Sequence, residues 1–141
     1  MSELAVTIRP VSDRPADREL AFVRETTVKV RWPRRAGLAW EEWAAMHGPQ
    51  VDRLLARSEM TVAVSDGVLL GFLAALPDKL SGNCVLMLYV KAAFRGERIG
   101  LRLLTEARIW PEHETIRAWM PTAPWGRWCD HHGIAWERVS L

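Results

Sequence analysis

Cysteine is scarce in this chain. Only Cys84 and Cys129 occur, and no CxxC pair exists, which excludes the disulfide framework of a small secreted protein. Each reads as a small apolar side chain. Neither sign of charge is in surplus: nineteen Lys and Arg stand against seventeen Asp and Glu, a formal net charge of +2. So mild a balance argues against nucleic acid as the main partner. No apolar run approaches the roughly 20 residues of a membrane-spanning helix. The opening MSELAVTIRP lacks a basic leader followed by an apolar stretch, so a cytoplasmic setting is expected. Both familiar nucleotide signatures are missing too. A P-loop needs Lys and then Ser or Thr after its last glycine, but Leu101 follows Gly100, and GxGxxG does not occur. No internal repeat, low-complexity tract or linker divides the chain, so residues 1–141 are expected to form a single domain.

Tryptophan, by contrast, is plentiful. Eight occur, and Trp110, Trp119, Trp125, Trp128 and Trp136 crowd the last third. Each ring buries a large area while its N–H seeks an acceptor, which suits a core and a ligand pocket equally.

The hydrophobic periods predict a strand from Ala5 to Arg9 and a helix from Asp13 to about Val30. KVRWPRR, from Lys29 to Arg35, reads as a basic loop because Pro33 breaks the pattern. A helix from Leu38 or Ala39 to about Ala45 follows, and Gly48-Pro49 separates it from a second short one in VDRLLAR. MTVAVSDGVLLGFLAALPD is two β-prone runs about Asp66-Gly67, a strong hairpin signal. Cys84 to Val90 is apolar almost throughout, as in a strand covered on both faces. From Ile99 the period turns helical, with Ile99, Leu103, Leu104, Ala107 and Trp110 on one face until Pro111. A strand from Thr115 to Met120, a short helix around Trp125 to His131 ended by Gly133, and a strand from Ile134 to Val139 complete an α/β domain.

The stretch VLMLYVKAAFRGERIGLRLLTEA, residues 85–107, raises the chemical question. A buried strand, a tight basic turn and an amphipathic helix present unpaired backbone N–H groups and the positive end of the helix dipole. Such a helix start accepts phosphate. Gly96 and Gly100 permit close approach or unusual torsions, and Arg95, Arg98 and Arg102 add positive charge.

These residues resemble the acyl-CoA-binding motif of the GNAT superfamily of N-acetyltransferases, which runs Q or R, two residues, Gly, one residue, then Gly or Ala. Arg95 matches its first position, Gly100 its last, and Ile99 the aliphatic residue between the glycines; Arg98 stands where the family has its first glycine. Phe94 before the motif, Leu88-Tyr89-Val90 in the strand and Leu103-Leu104 in the helix are similar to the family as well. So are IRPVSD near the start, the Asp66-Gly67 hairpin, and Trp128-Cys129-Asp130-His131-His132-Gly133-Ile134, which resembles a late Phe-Tyr-Glu-x-x-Gly-Phe segment. The resemblance implies a single mixed, mainly antiparallel sheet flanked by helices, with a short C-terminal end.

It also implies acetyl-CoA as cosubstrate and transfer of its acetyl group to a primary amine by direct attack on the thioester. Backbone N–H groups of Arg98, Ile99, Gly100, Leu101 and Arg102 would hold the pyrophosphate, with Arg95 and Gly96 shaping the approach. The pantetheine arm would lie beside Leu88, Tyr89 and Val90, and an N–H near Tyr89 or Val90 would polarise the thioester carbonyl. The family's late-helix tyrosine protonates the leaving thiolate; Cys129 stands at that position. Tyr89, the one tyrosine, is the alternative source of a hydroxyl.

Residues 84–90 contain no acid or histidine, so a general base has to come from elsewhere. Glu25, Glu41, Glu59, His113, His131 and His132 are the candidates, each reading first as a solvated surface residue. His131 is favoured for its nearness to the cleft, histidine being the side chain suited to proton transfer near neutral pH. The expected catalytic set is therefore Cys129, Tyr89 and His131. The histidines have no metal-ligand spacing, so no metal is expected.

The acceptor amine is not legible. Trp32, Trp40 and Trp43 with the basic loop could line its pocket, and like charge there disfavours a polycation. A CoA-binding module with little catalysis is the alternative, supported by Arg98 and Cys129. A nucleic-acid module using KVRWPRR would need more charge. The short C-terminal end leaves a sheet edge that a second subunit could cover, so a homodimer and a monomer with a protected edge are both open.

Overall fold

A computed structural model describes residues 5–31, 39–77, 83–119 and 121–139. Along the chain run β1 (Thr7–Pro10), α1 (Glu19–Arg31), α2 (Trp40–Ala56), β2 (Glu59–Ser65), β3 (Val68–Leu76), β4 (Cys84–Val90), α3 (Ile99–Glu106), β5 (Ile116–Trp119), α4 (Ala123–His132) and β6 (Trp136–Val139). Two compact units emerge: Val11–Ser58, and Met1–Pro10 together with Glu59–Leu141. No helix among the described residues is long and apolar enough to cross a membrane.

In the smaller unit, α1 starts later than its apolar spacing predicts. Pro15–Asp17 forms one 3-10 turn and Arg18 takes φ 57°, which delays the helix to Glu19. The Ser12 amide donates to Glu19 Oε1 at 2.9 Å and its hydroxyl to Asp17 at 2.6 Å, placing acidic acceptors where the helix dipole favours them. The two short helices expected around Gly48-Pro49 are one helix, α2, with Pro49 inside it. Proline removes one backbone hydrogen bond; burial of Val51 and Leu55 carries the helix past it. Arg24 of α1 bonds Asp52 of α2 at 2.6 and 3.2 Å. A Cβ on Gly48 would overlap the same guanidinium. Exposed pairs contribute under about 1 kcal/mol, so this one sets the facing of the two helices more than their stability. Trp40 receives Lys29 Nζ 4.9 Å from its ring centre. Trp32 to Arg35 and the Trp43 side chain lie outside the described residues.

The larger unit is a six-stranded sheet in the order β1-β2-β3-β4-β5-β6. The first three pairings are antiparallel and the last two parallel. Each parallel step passes through a helix, as such a connection requires. Asp66 and Gly67 take φ 49° and 75°, the two left-handed torsions of a type I′ hairpin turn. One face of the sheet supplies Ala63, Leu70, Leu73, Ala75, Val85, Ile116 and Ala118 to a core completed by Ile99, Leu103, Leu104, Trp125 and Cys129 of α3 and α4. Each large aliphatic side chain buried there contributes about 1.5–3 kcal/mol.

Helix α3 is shorter than its apolar pattern. Arg108 takes φ 60°, and the Ile109 N–H closes back on the Leu104 carbonyl at 2.9 Å, a Schellman-type stop. Asn83 Nδ2 caps the Ala107 carbonyl at 3.1 Å. The stop turns Ile109 inward and leaves Trp110, expected on the buried face, 41% exposed.

A bulge in β4 positions the site. Ala74 faces Met87 and Ala75 faces Val85, so Leu86 is one residue in excess. Such an insertion reverses the alternation of faces. Val85 before it and Leu88 and Val90 after it all join the α3–α4 face. Tyr89 turns to the other face, its ring centre 6.0 Å from that of Phe72.

Candidate active site

β5 pairs with β4 only at Cys84 and Val85. The ladder ends at the bulge, and β5 itself ends at Trp119, so the last residues of β4 run on past it. Lys91 donates to the Leu70 carbonyl at 2.8 Å, so its backbone points toward β3. Alternation then turns the N–H groups of Leu88 and Val90 to the side where β5 has left. The Val90 carbonyl, on that side, accepts from Arg95 Nε at 2.9 Å. Tyr89's own N–H faces β3, which leaves Val90 and Leu88 as the strand's donors into the gap.

The turn after β4 ends in two left-handed residues. Gly96 has φ 100°, and Arg98, the N-cap of α3, has φ 60° and ψ 21°. This answers why the resembled motif has glycine at Arg98's position: the backbone there is left-handed, and a side chain costs about 1–2 kcal/mol. The Arg98 side chain makes no capping bond to the helix. The Arg102 amide already donates to the Arg98 carbonyl at 3.1 Å, so it leaves the expected donor set. Ile99, Gly100 and Leu101 carry the N–H groups without an intrahelical acceptor. Of the three arginines, Arg95 holds Val90 and Arg102 Nη2 holds the Val6 carbonyl at 3.2 Å. Arg98 is the one whose charge acts on a neighbouring histidine, His132. Arg98→Gly is expected to stabilise the protein by about 1 kcal/mol, read as a rise in melting temperature, because it relieves the left-handed torsion.

Gly100 has a second reason to be glycine. A Cβ there would lie 2.9 Å from Trp128 Cζ2 and 3.7 Å from Leu88 Cδ2. The helix start is therefore packed beneath α4, with β4 alongside. On α4, Cys129 is fully buried in the core. Burial, with a smaller contribution from Asp130, pushes its thiol up to about 12. That is the setting of a packing residue, not of a group that meets a leaving sulfur. His131 is exposed, edge-on to His132 at 5.0 Å between ring centres. His132, and not the favoured His131, is the one that lies against Trp128, 5.0 Å between ring centres, the ring that covers Gly100. The i, i+4 spacing of Trp128 and His132 on one helix is the sequence signal that marks this pair. Tyr89 has the Arg95 guanidinium 5.9 Å from its ring centre. Glu59 sits at the far end of β2, opposite Ala75. Among the described residues no group of three or more His, Cys, Asp or Glu could hold a metal ion.

This arrangement can hold an anion at the start of α3 and an extended, amide-bearing arm beside β4. Comparison with known proteins gives the family and the fold. The sequence matches the family model described as Acetyltransferase (GNAT) family over residues 19–127. Comparison with the curated proteins finds no match. Among solved structures, a Pyrococcus furiosus protein assigned as an acetyl transferase is similar with a TM-score of 0.68 at 18% identity, covering 97% of each chain. Ribosomal-protein-alanine N-acetyltransferase from Brucella melitensis gives 0.59 at 20% identity, covering 97% of this chain and 98% of that one. An aminoglycoside 6'-N-acetyltransferase complexed with coenzyme A gives 0.51 at 22% identity, over 72% of this chain and 52% of that one. At these identities the likeness is one of fold.

Proposed function

This chain belongs to the GNAT family of acetyltransferases, whose acyl donor is acetyl-CoA, and from that premise we propose that it moves the acetyl group to a primary amine by direct attack on the thioester. The observation that carries the reading is the end of the β4–β5 ladder at Val85, before the turn whose helix opens with three N–H groups lacking an intrahelical acceptor. The residues fit the cosubstrate. Ile99, Gly100 and Leu101 would receive the diphosphate, and Arg98 adds charge beside them. The backbone of Leu88 and Val90 would align the pantetheine amides.

Acetyl-CoA supplies an activated acyl group. The chain's part is to hold it, to orient the amine and to stabilise charge. The Val90 N–H, on the gap side, is the donor to the carbonyl oxygen as it gains negative charge. As the C–N bond forms and the C–S bond breaks, the electron pair leaves on sulfur and the nitrogen sheds a proton. Positioning supplies much of the rate, so a strong side-chain base is not required. With Cys129 buried, return of a proton to sulfur falls to Tyr89, at the open end of β4. The reading sets the reaction where acetyl-CoA is, in the cytoplasm. It also includes pairing of two copies along the edge strand β6, which sedimentation at two concentrations would test.

Release of free CoA thiol across a panel of primary amines tests the reaction. Turnover above the hydrolysis background with at least one amine is expected. Cys129→Ala should keep kcat within about threefold, and Tyr89→Phe should lower it by about 10²-fold. CoA binding without turnover on any amine would favour the second reading, a binding module, which the buried Cys129 supports. No CoA binding would overturn both.

A further inference from the structure

We infer that His132 is a contact for the diphosphate of coenzyme A and takes up a proton as that anion binds, an inference that rests on the cofactor site proposed above. The argument starts from packing. Trp128 covers Gly100, the second residue of α3, so closely that no Cβ fits between them. The imidazole of His132 lies on the same indole, ring centres 5.0 Å apart and planes at 57°. One ring thus connects His132 to the helix start. From the turn, the charge of Arg98 acts on it, and from its own helix His131 lies edge-on to it. Asp130, on the same helix, acts on Cys129.

The neighbouring groups act on this ring in one sense, against the negative C-terminal end of α4 on which His132 stands. Burial, His131 and Arg98, in that order, all lower His132 from its ordinary 6.5. The positive end of α3 has the same sense. Without ligand the imidazole is therefore neutral at neutral pH. Positive groups gathered around a titratable ring are unfavourable until an anion joins them. A diphosphate at Ile99, Gly100 and Leu101 supplies two negative charges, which favour the imidazolium. Between the lower free value and the higher bound one, binding takes a proton from solvent. Affinity is then highest at low pH and falls as pH rises through that interval; it is flat on either side.

Calorimetry in two buffers of different ionisation enthalpy, on the full chain, tests this. The first probe is 3'-dephospho-CoA, since the 3'-phosphate of CoA itself titrates near pH 6; CoA is the second. At about pH 6.5, uptake of up to roughly one proton per ligand is expected for the wild type and none for His132→Gln. That variant should bind about five- to tenfold more weakly at about pH 6, and within about twofold at about pH 8. His132→Arg, permanently charged and able to stack on Trp128, should bind well at both without uptake. Equal uptake by wild type and His132→Gln would overturn the inference and leave the transferase reading standing. So would a difference seen with CoA alone, which would move His132 to the 3'-phosphate. Failure of either ligand to bind at any pH would overturn the inference and the cofactor site together.

Discussion

Gly71→Ala is expected to lower stability by about 3 kcal/mol or more, a fall of roughly 10 °C in melting temperature for a chain of this size. Gly71 sits in the middle of β3, opposite Ala63 on one side and Val90 on the other. A Cβ there would overlap the backbone oxygen of Tyr89 and lie 3.0 Å from Val90 Cα. These are main-chain atoms, so no rotamer change can relieve the contact, and β3 and β4 must separate. The damage falls on the end of β4 whose N–H groups border the gap. CoA affinity should therefore drop together with stability. A melting temperature within about 2 °C of wild type would show that the strands are not packed this closely.

Gly100→Ala is expected to weaken CoA binding by tenfold or more and to lower stability by about 1–2 kcal/mol. Helix propensity alone gives the opposite sign, since alanine is favoured over glycine by about 0.5–1 kcal/mol. The Trp128 ring, 2.9 Å from the new methyl group, decides the matter. Overpacking of that kind costs about 1–3 kcal/mol, and the displaced indole carries His132 with it. Adding Trp128→Phe should recover the stability, because a smaller ring vacates the contact; a double-mutant cycle by urea denaturation reads the coupling. A Gly100→Ala protein more stable than wild type would refute the packing.

Much of the architecture is legible from local chemistry. Asp66-Gly67 can hardly join two β-prone runs except as a hairpin, and the change of period at Ile99 starts α3 at the residue observed. The failures have physical causes. Pro49 has strong local meaning, yet the burial of Val51 and Leu55 overrides it. Trp110 fits the helical period but follows Arg108, whose left-handed torsion has no sequence signal because arginine rarely adopts it. The donors at the helix start can be read from the glycine-bearing turn. Which of Cys129, His131 and His132 stands with the ring that covers the turn cannot, because three neighbours on one helix point in three directions and only the packing of Trp128 on Gly100, with His132 against Trp128, distinguishes them.

Leu86 acts on the strand as a one-base insertion acts on a reading frame. Everything downstream is shifted by one position, so an even count along the chain no longer brings Tyr89 to the face of Val85. Removing that residue would join Val85 to Met87 with their partners Ala75 and Ala74 unchanged, so Leu88, Tyr89 and Val90 would keep their faces and only the local bend of the strand would be lost. That bend coincides with the last rung between β4 and β5, at Val85 and Ala118, so the direction of β4 beside the opening would change with it. The surplus residue thus sets the line of β4 past its last rung with β5, and the face that Tyr89 takes would survive its loss.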